Sequence, residues 1–146
     1  MIDELKNIEY VLFDLDGTVS DSSEGITKSA DKALKSEGID VPFETLTSFI
    51  GPALRVSFGR YTDDVEKRDR MLDVYRERYS EKGWCENKIY PGMAELLRDL
   101  QKSGKHVVLA SAKPEYFCRK IIKYFGVEQY FDFIGGSDME GKRDDK

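Results

Sequence analysis

The apolar run Tyr10–Phe13 is followed at once by Asp14, Leu15 and Asp16, and then by Gly17 and Thr18. The run predicts a buried β-strand, because β-favouring residues follow one another without a polar interruption. Residues two positions apart point to the same side of an extended chain, so the two carboxylates lie close together. They repel each other unless a cation lies between them or one holds a proton. The pattern therefore predicts a strand that ends in a cation-binding loop.

The same loop has features of an anion site. Gly17 allows a sharp turn, Thr18 adds a hydroxyl, and we expect the loop amides to be free to bind an anion. An ordinary Asp-Gly turn explains Asp16 and Gly17, but it leaves Asp14 next to a buried strand without a partner. Carboxylates, a cation and free amides together predict a site for a phosphoryl group.

The rest of the chain alternates between patterns typical of helices and of strands. Residues 20–88 read as wholly helical. They are followed by a helix that begins at Pro91 and Gly92, a strand at 105–110, a helix from 114 and a strand at 131–134. Strands that alternate with helices predict a parallel sheet with right-handed crossovers. We therefore expect an α/β core built from residues 1–19 and 89–146, and a helical insert over residues 20–88.

Polar residues follow the two later strands. Ser111 comes directly after the strand at 105–110, and Ser137 follows the strand at 131–134. The carboxyl ends of parallel strands meet at one edge of a sheet, where ligands bind. We expect these two segments to converge with Asp14 and Asp16.

Composition excludes several classes of protein. The net charge is −5 with both signs mixed along the chain, so we expect no nucleic-acid partner. The apolar runs are far shorter than the ~20 residues of a membrane span, so no membrane partner is expected either. The two cysteines, Cys85 and Cys118, form neither a metal cluster nor a disulfide framework, which favours a reduced, cytoplasmic location. The oligomeric state is left open.

Three segments carry a resemblance to a known family. Residues 14–18 match the first motif of the haloacid dehalogenase (HAD) superfamily, Ser111 within residues 109–114 resembles the second, and residues 136–146 resemble the third. The chain is similar to the phosphoglycolate phosphatase-like and 5'-nucleotidase-like members of this superfamily. The resemblance implies a HAD-like (Rossmannoid) parallel sheet core with an inserted all-helical cap.

The resemblance also implies catalytic roles. Asp14 would be the nucleophile that forms an aspartyl-phosphate, and Asp16 the general acid and base. Ser111 would hydrogen-bond a phosphoryl oxygen, and Lys146 would neutralise its charge, with Lys142 as the competing candidate. Mg²⁺ would be bound by Asp14 and by the backbone carbonyl of Asp16.

Further residues are candidates for binding the substrate. These are Gly17, Thr18, Arg55, Ala112 and Lys113. Arg55 has the alternative role of a surface helix residue, and Lys113 that of an exposed loop lysine. Ser111 has the alternative role of a helix N-cap before Pro114.

The expected function is Mg²⁺-dependent hydrolysis of a small phosphorylated metabolite, such as phosphoglycolate or a nucleoside monophosphate. Alternatives are a sugar phosphomutase of the same fold and a non-catalytic HAD-like binding protein. The family's fourth motif, which completes the Mg²⁺ site, is absent from the sequence through Lys146. We expect a fragment of a longer hydrolase, the alternative being a degenerate protein with weak or absent activity.

Overall fold

The computed structural model describes residues 5–138 and residue 142. The chain forms two compact units. The first, here called the core unit, comprises Met1–Val19 and Ile89–Lys146, and the second, the insert unit, comprises Ser20–Lys88.

A parallel sheet of three strands organises the core unit, and its strands lie in the order Tyr10–Phe13, His106–Pro114 and Phe133–Ser137. Its elements in chain order are β1 (Tyr10–Phe13), α5 (Met93–Lys102), β4 (His106–Pro114), α6 (Glu115–Tyr124) and β5 (Phe133–Ser137). The register aligns Phe13 with Leu109, and Leu109 with Ile134. The predicted alternation of parallel strands and helices is confirmed, and it brings the ends of β1 and β4 to the same edge.

Burial alternates along the strands, with Val107, Leu109 and Ser111 of β4 buried. The prediction that β1 is buried throughout is wrong, because Tyr10 is 58% exposed and Leu12 is 65% exposed. β1 is one of the two edge strands of the described sheet and has its neighbour, β4, on one side. Alternate side chains of such a strand can remain exposed while the others face the core.

Two strands extend beyond their predicted ends. The strand predicted at 105–110 continues to Pro114, and the strand predicted at 131–134 is Phe133–Ser137. The later start has a local cause. Asp132 binds the first part of β4 through two hydrogen bonds, since its N–H donates to the Val107 carbonyl and its carboxylate accepts the Val107 N–H, each at 2.8 Å. As a result, Ser111 and Ser137 lie within strands rather than after them.

Helices dominate the insert unit. They are α1 (Ser23–Ser36), α2 (Phe43–Leu46), α3 (Leu54–Gly59) and α4 (Val65–Glu81), with 3₁₀ turns at Thr47–Phe49 and Gly83–Cys85. The unit is not wholly helical as predicted, because β2 (Ser20–Asp21) pairs with β3 (Lys88–Ile89) where the chain enters and leaves it. Pairing of these short segments satisfies backbone groups that would otherwise need other partners.

The two long helices of the insert unit follow the expected helical spacing. Ile26, Ala30, Ala33 and Leu34 of α1 are buried, as are Leu72, Tyr75 and Tyr79 of α4. The Asp64 carboxylate caps α4 by accepting the N–H groups of Glu66 and Lys67. Val65, which the helical pattern assigns to the apolar side, is 55% exposed. It is the first residue of α4, and the buried positions of this helix begin only at Met71.

Two glycines allow α1 and the turn after α4 to meet backbone to backbone. A methyl group on Gly25 would overlap the carbonyl oxygen of Gly83. A methyl group on Gly83 would lie 2.6 Å from Cδ2 of Tyr79 and 2.9 Å from Oγ of Ser29. Backbone atoms cannot move aside as the end of a flexible side chain can, so this contact requires glycine.

The substitution Gly25→Ala tests this close approach. We expect it to lower the free energy of unfolding by about 3 kcal/mol, the upper end of the usual cost of overpacking. Urea unfolding measures the difference. Gly59→Ala is the matched control, because Gly59 has no atom within 4 Å of the added methyl group. That control should leave stability within about 1 kcal/mol of wild type. Equal unfolding midpoints for the two variants would contradict the close approach.

Candidate active site at the ends of β1 and β4

The loop after β1 is anchored by two buried side chains. Leu15 and Val19 are both 0% exposed, and Gly17 between them has a φ of +79°. The N–H groups of Thr18 and Val19 donate to the Leu15 carbonyl at 3.2 and 3.0 Å. A positive φ closes such a turn without strain when the residue is glycine. The loop therefore has a defined shape, with Gly17 and Thr18 at its exposed tip.

The expectation that the loop amides are free to bind an anion is wrong for three of them. The N–H of Leu15 donates to Oδ1 of Asp14 at 2.8 Å, and those of Thr18 and Val19 are bound to the Leu15 carbonyl. These three donors are used within the loop, by the Asp14 carboxylate and the Leu15 carbonyl. An anion at this loop would need donors from side chains or from the remaining amides.

A buried ion pair joins this loop to β4. Nζ of Lys113 lies 3.0 Å from Oδ1 of Asp16, and the two side chains are 7% and 8% exposed. This Asp16 oxygen is buried and makes no hydrogen bond of regular geometry within the described residues. The contact is therefore held by charge rather than by a directed hydrogen bond. Burying either charge alone would be costly, so each side chain needs the other.

The segment from Ser111 to Lys113 departs from regular strand pairing. The register between β4 and β5 shifts between Ala110 and Pro114, so the backbone bulges there. Within the bulge, the N–H of Lys113 donates to Oγ of Ser111 at 3.1 Å. A serine hydroxyl that accepts one hydrogen bond still has its own hydrogen to donate. Ser111 is thus placed to donate to an acceptor.

The alternative role of Ser111 as an N-cap is not what the structure shows. α6 begins at Glu115 after Pro114, and its first turn receives no side-chain capping bond. Ser111 instead bonds to the backbone two residues along the chain, as serines in turns do. Ala112 lies in the same bulge and is half-buried.

A buried thiol lies behind the bulge. Cys118 of α6 is 0% exposed, and its Sγ lies 3.5 Å from the Lys113 carbonyl oxygen. Burial raises the pKa of the Cys118 thiol to about 12, partly opposed by the positive charge of Lys113. The group is therefore a protonated thiol and a weak donor. Sequence reasoning did not single out Cys118; its place on the apolar side of α6, four residues after Pro114, was the available signal.

The third segment reaches the same region through β5. Gly136 packs against the backbone of Lys113 and Glu115, and Ser137 is 3% exposed. The N–H of Lys142 donates to Oδ1 of Asp138 at 2.7 Å. Lys146 lies outside the described residues, so the choice between Lys142 and Lys146 as the third-motif lysine stays a prediction.

Arg55 lies in the insert unit, on α3. Its Nη1 is 3.0 Å from Oδ1 of Asp69, and its side chain is 41% exposed. An exposed pair of this kind contributes little to stability. The predicted role of Arg55 in binding the substrate stays a prediction.

The acidic loop is a candidate metal site. Among the residues that the structure describes, no group of three or more His, Cys, Asp or Glu side chains is arranged to hold a metal ion. Mg²⁺ differs from most metals in keeping several waters and in binding through one or two carboxylates together with a substrate phosphate. The Asp14 carboxylate and the backbone carbonyl of Asp16 are a donor set of that kind, so the residues present fit Mg²⁺.

Comparison with known proteins agrees with this geometry. Residues 11–145 match the family model described as haloacid dehalogenase-like hydrolase. This chain belongs to the haloacid dehalogenase-like hydrolase family. Its α/β fold with a parallel sheet is the fold of that family, as a solved structure also shows. A predicted phosphatase from Clostridium acetobutylicum superposes with a TM-score of 0.88 at 44% identity, covering 92% of this chain and 63% of that chain.

Curated relatives within the HAD family have several names. The tyrosine-protein kinase PtkA of Mycobacterium tuberculosis is 37% identical, over 94% of this chain and 47% of that protein. A 5'-nucleotidase of Pseudomonas aeruginosa is 40% identical, over 93% of this chain and 62% of its own length. A phosphoglycolate phosphatase of Aquifex aeolicus is 31% identical, over 93% of this chain and 64% of its own length. The chain thus spans from about half to just under two thirds of these relatives.

Within residues 5–138 and at residue 142, no helix has the length and apolar character needed to cross a membrane.

The different surroundings of the two cysteines predict different reactivity. The pKa of Cys118 is about 12, so this thiol has little thiolate at mildly alkaline pH. Cys118 is also 0% exposed, whereas Cys85 is partly exposed. Iodoacetamide at mildly alkaline pH should alkylate Cys85 and spare Cys118. Both should react in guanidinium chloride, and peptide mass spectrometry distinguishes them. Equal alkylation of the two thiols in the folded protein would contradict the burial of Cys118.

Proposed function

We propose that this chain carries the phosphoryl-transfer site of a phosphatase that hydrolyses a small phosphomonoester through an aspartyl-phosphate at Asp14. The observation that carries this proposal is the buried pair between Asp16 and Lys113, directly beside Asp14. Acidic and basic side chains held together at the ends of parallel strands are typical of catalytic sites. The phosphatase and nucleotidase names among the relatives support the same class of reaction.

Each side chain has a role in the proposed reaction. In the reacting state Asp16 holds a proton, and the phosphoryl group replaces it as the charge partner of Lys113. A carboxylate oxygen of Asp14 attacks phosphorus, and the bond to the leaving oxygen breaks as that oxygen takes the proton from Asp16. In the second step Asp16 takes a proton from the attacking water, and the bond between Asp14 and phosphorus breaks. Two steps with a covalent intermediate replace one step of higher barrier.

Two side chains of β4 are suited to binding the transferred group. The Ser111 hydroxyl can donate to a phosphoryl oxygen, and Lys113 supplies positive charge in a largely buried place. Positive charge is worth more there than in water, because the local dielectric is low. Lys113, which the sequence suggested as a substrate-binding residue, is in this proposal the cation closest to the acidic loop.

Mg²⁺ is part of the proposal. Asp14, together with Asp16 and its backbone carbonyl, would hold the ion, with water completing the shell. When bound, Mg²⁺ supplies charge that reduces the repulsion between the carboxylate and the incoming phosphate.

The proposed substrate is a small phosphorylated metabolite of the size of phosphoglycolate or a nucleoside monophosphate. A second candidate function is transfer of the phosphoryl group to an acceptor other than water, either in a sugar phosphomutase or in an enzyme like the kinase PtkA. The identity to PtkA favours keeping this candidate. Release of inorganic phosphate separates hydrolysis from transfer, which leaves phosphate covalently bound to the acceptor.

The substitution Asp14→Asn tests the nucleophile. It removes charge with little change of shape, so hydrolysis of p-nitrophenyl phosphate with Mg²⁺ should fall by about 10³-fold or more while thermal unfolding is unchanged. EDTA should abolish the wild-type rate. Asp63→Asn, at an exposed site in the insert unit, is the matched control and should retain wild-type activity.

Two results would count against the proposal. Retained turnover in the Asp14→Asn variant would remove the assigned nucleophile. Wild-type protein that releases no phosphate from any of the three substrates, p-nitrophenyl phosphate, phosphoglycolate and a nucleoside monophosphate, would remove the hydrolase activity of this chain.

A further inference from the structure

The Lys113 carbonyl oxygen is contacted by two residues that take no part in the chemistry. Sγ of Cys118 lies 3.5 Å from this oxygen. On β5, the space next to Gly136 is filled by the same oxygen, because a methyl group on Gly136 would lie 2.5 Å from it. The backbone of the residue that forms the buried ion pair is thus in contact with both α6 and β5.

The contact at Gly136 involves backbone atoms only. The added methyl group would also lie 2.6 Å from the nitrogen and from the Cα of Glu115. Real Cβ contacts are ordinary from 3.4 Å, so the neighbouring backbone would have to move by about 0.9 Å, the difference between 3.4 and 2.5 Å. Packed backbone yields poorly to such a shift.

The need for glycine at this position comes from space and not from its dihedral angles. Gly136 does not have a positive φ, so alanine could adopt its backbone conformation. The neighbouring Gly135 is different. A methyl group there would meet the ring of Phe133 at 3.0 Å, and that side chain is 59% exposed and able to turn away. The two adjacent glycines of β5 therefore form a matched pair.

We propose that Gly136 and Cys118 are positioning residues that hold the Lys113 backbone where its side chain reaches Asp16. The proposal rests on the function proposed above for the role of that pair in the reaction. A shift of about 1 Å in a group that aligns reactants can cost about 10²-fold in rate. Neither residue bears a group that touches the reacting atoms. Both contact the Lys113 carbonyl, and Cys118 also bonds to the Ser111 side chain, so they act through the segment from Ser111 to Lys113.

Lysine labelling tests the placement of Lys113 without any measurement of activity. The Lys113 side chain is 7% exposed, whereas those of Lys28 and Lys35 are 51% and 56% exposed. Acetic anhydride followed by peptide mass spectrometry should therefore label Lys113 slowly in wild type. In Gly136→Ala its labelling should rise by about tenfold relative to Lys28 and Lys35, and in Gly135→Ala it should stay at the wild-type rate. Equal labelling of Lys113 in wild type and Gly136→Ala overturns the proposal.

Kinetics test whether Gly136 acts through Lys113. Gly136→Ala should lower kcat by about 10²-fold with a smaller change in KM, and Gly135→Ala should not. Once Lys113→Met has removed the charge, adding Gly136→Ala should cause little further loss, because both changes disable the same interaction. Additive losses in the double variant would show that Gly136 acts elsewhere, and they would overturn the proposal.

The Cys118 contact is tested by restoring the donor. Cys118→Ala removes the S–H group and should raise Lys113 labelling, and Cys118→Ser should restore protection because its hydroxyl also donates. Identical labelling in the alanine and serine variants would exclude the hydrogen bond as the holding contact. If wild type proves inactive, the proposed function fails, but the labelling experiments still decide the placement of Lys113.

Discussion

The structure of the candidate site depends on the ion pair between Asp16 and Lys113. Both side chains are more than nine-tenths buried, so neither charge is compensated by bulk water. Mutual attraction offsets the cost of desolvation only while the distance stays short. The pair therefore requires that the loop after β1 and the bulge of β4 keep their relative positions. Both segments belong to the core unit, where parallel pairing of β1 with β4 sets that relation.

Each partner is held by local structure that the ion pair itself does not provide. On one side, buried Leu15 and Val19 anchor the acidic loop, and Gly17 closes its turn. On the other, Ser111 binds the N–H of Lys113 within the bulge. Three amides of the loop around Leu15 are already hydrogen-bonded within the loop. Side chains therefore supply the positive charge at the site. The cation that contacts Asp16 is accordingly a lysine and not a nest of amides.

Much of this architecture could be predicted from the sequence because it is encoded locally. The run before Asp14, the acids spaced two apart and the alternation of helices and strands are short-range patterns, and they indicated the family and the parallel sheet. Long-range relations were less accessible. The sequence predicted that the segment containing Ser111 lies near Asp16, but it did not indicate that Lys113 would be buried in contact with that carboxylate. Likewise, Leu12 is exposed because β1 lies at an edge of the sheet, and the order of strands is not a local property of the sequence.

The two glycines of β5 illustrate why the remainder escapes prediction. Gly135 and Gly136 are identical neighbours in one strand, with the same backbone freedom and no functional group. Only the packed structure distinguishes them, since one faces a movable aromatic ring and the other the backbone of Lys113. The position of a functional side chain thus depends partly on residues that lack a side chain and so let neighbouring backbone pack closely. A sequence shows which residues can do the chemistry, and the three-dimensional packing shows which residues keep them in place.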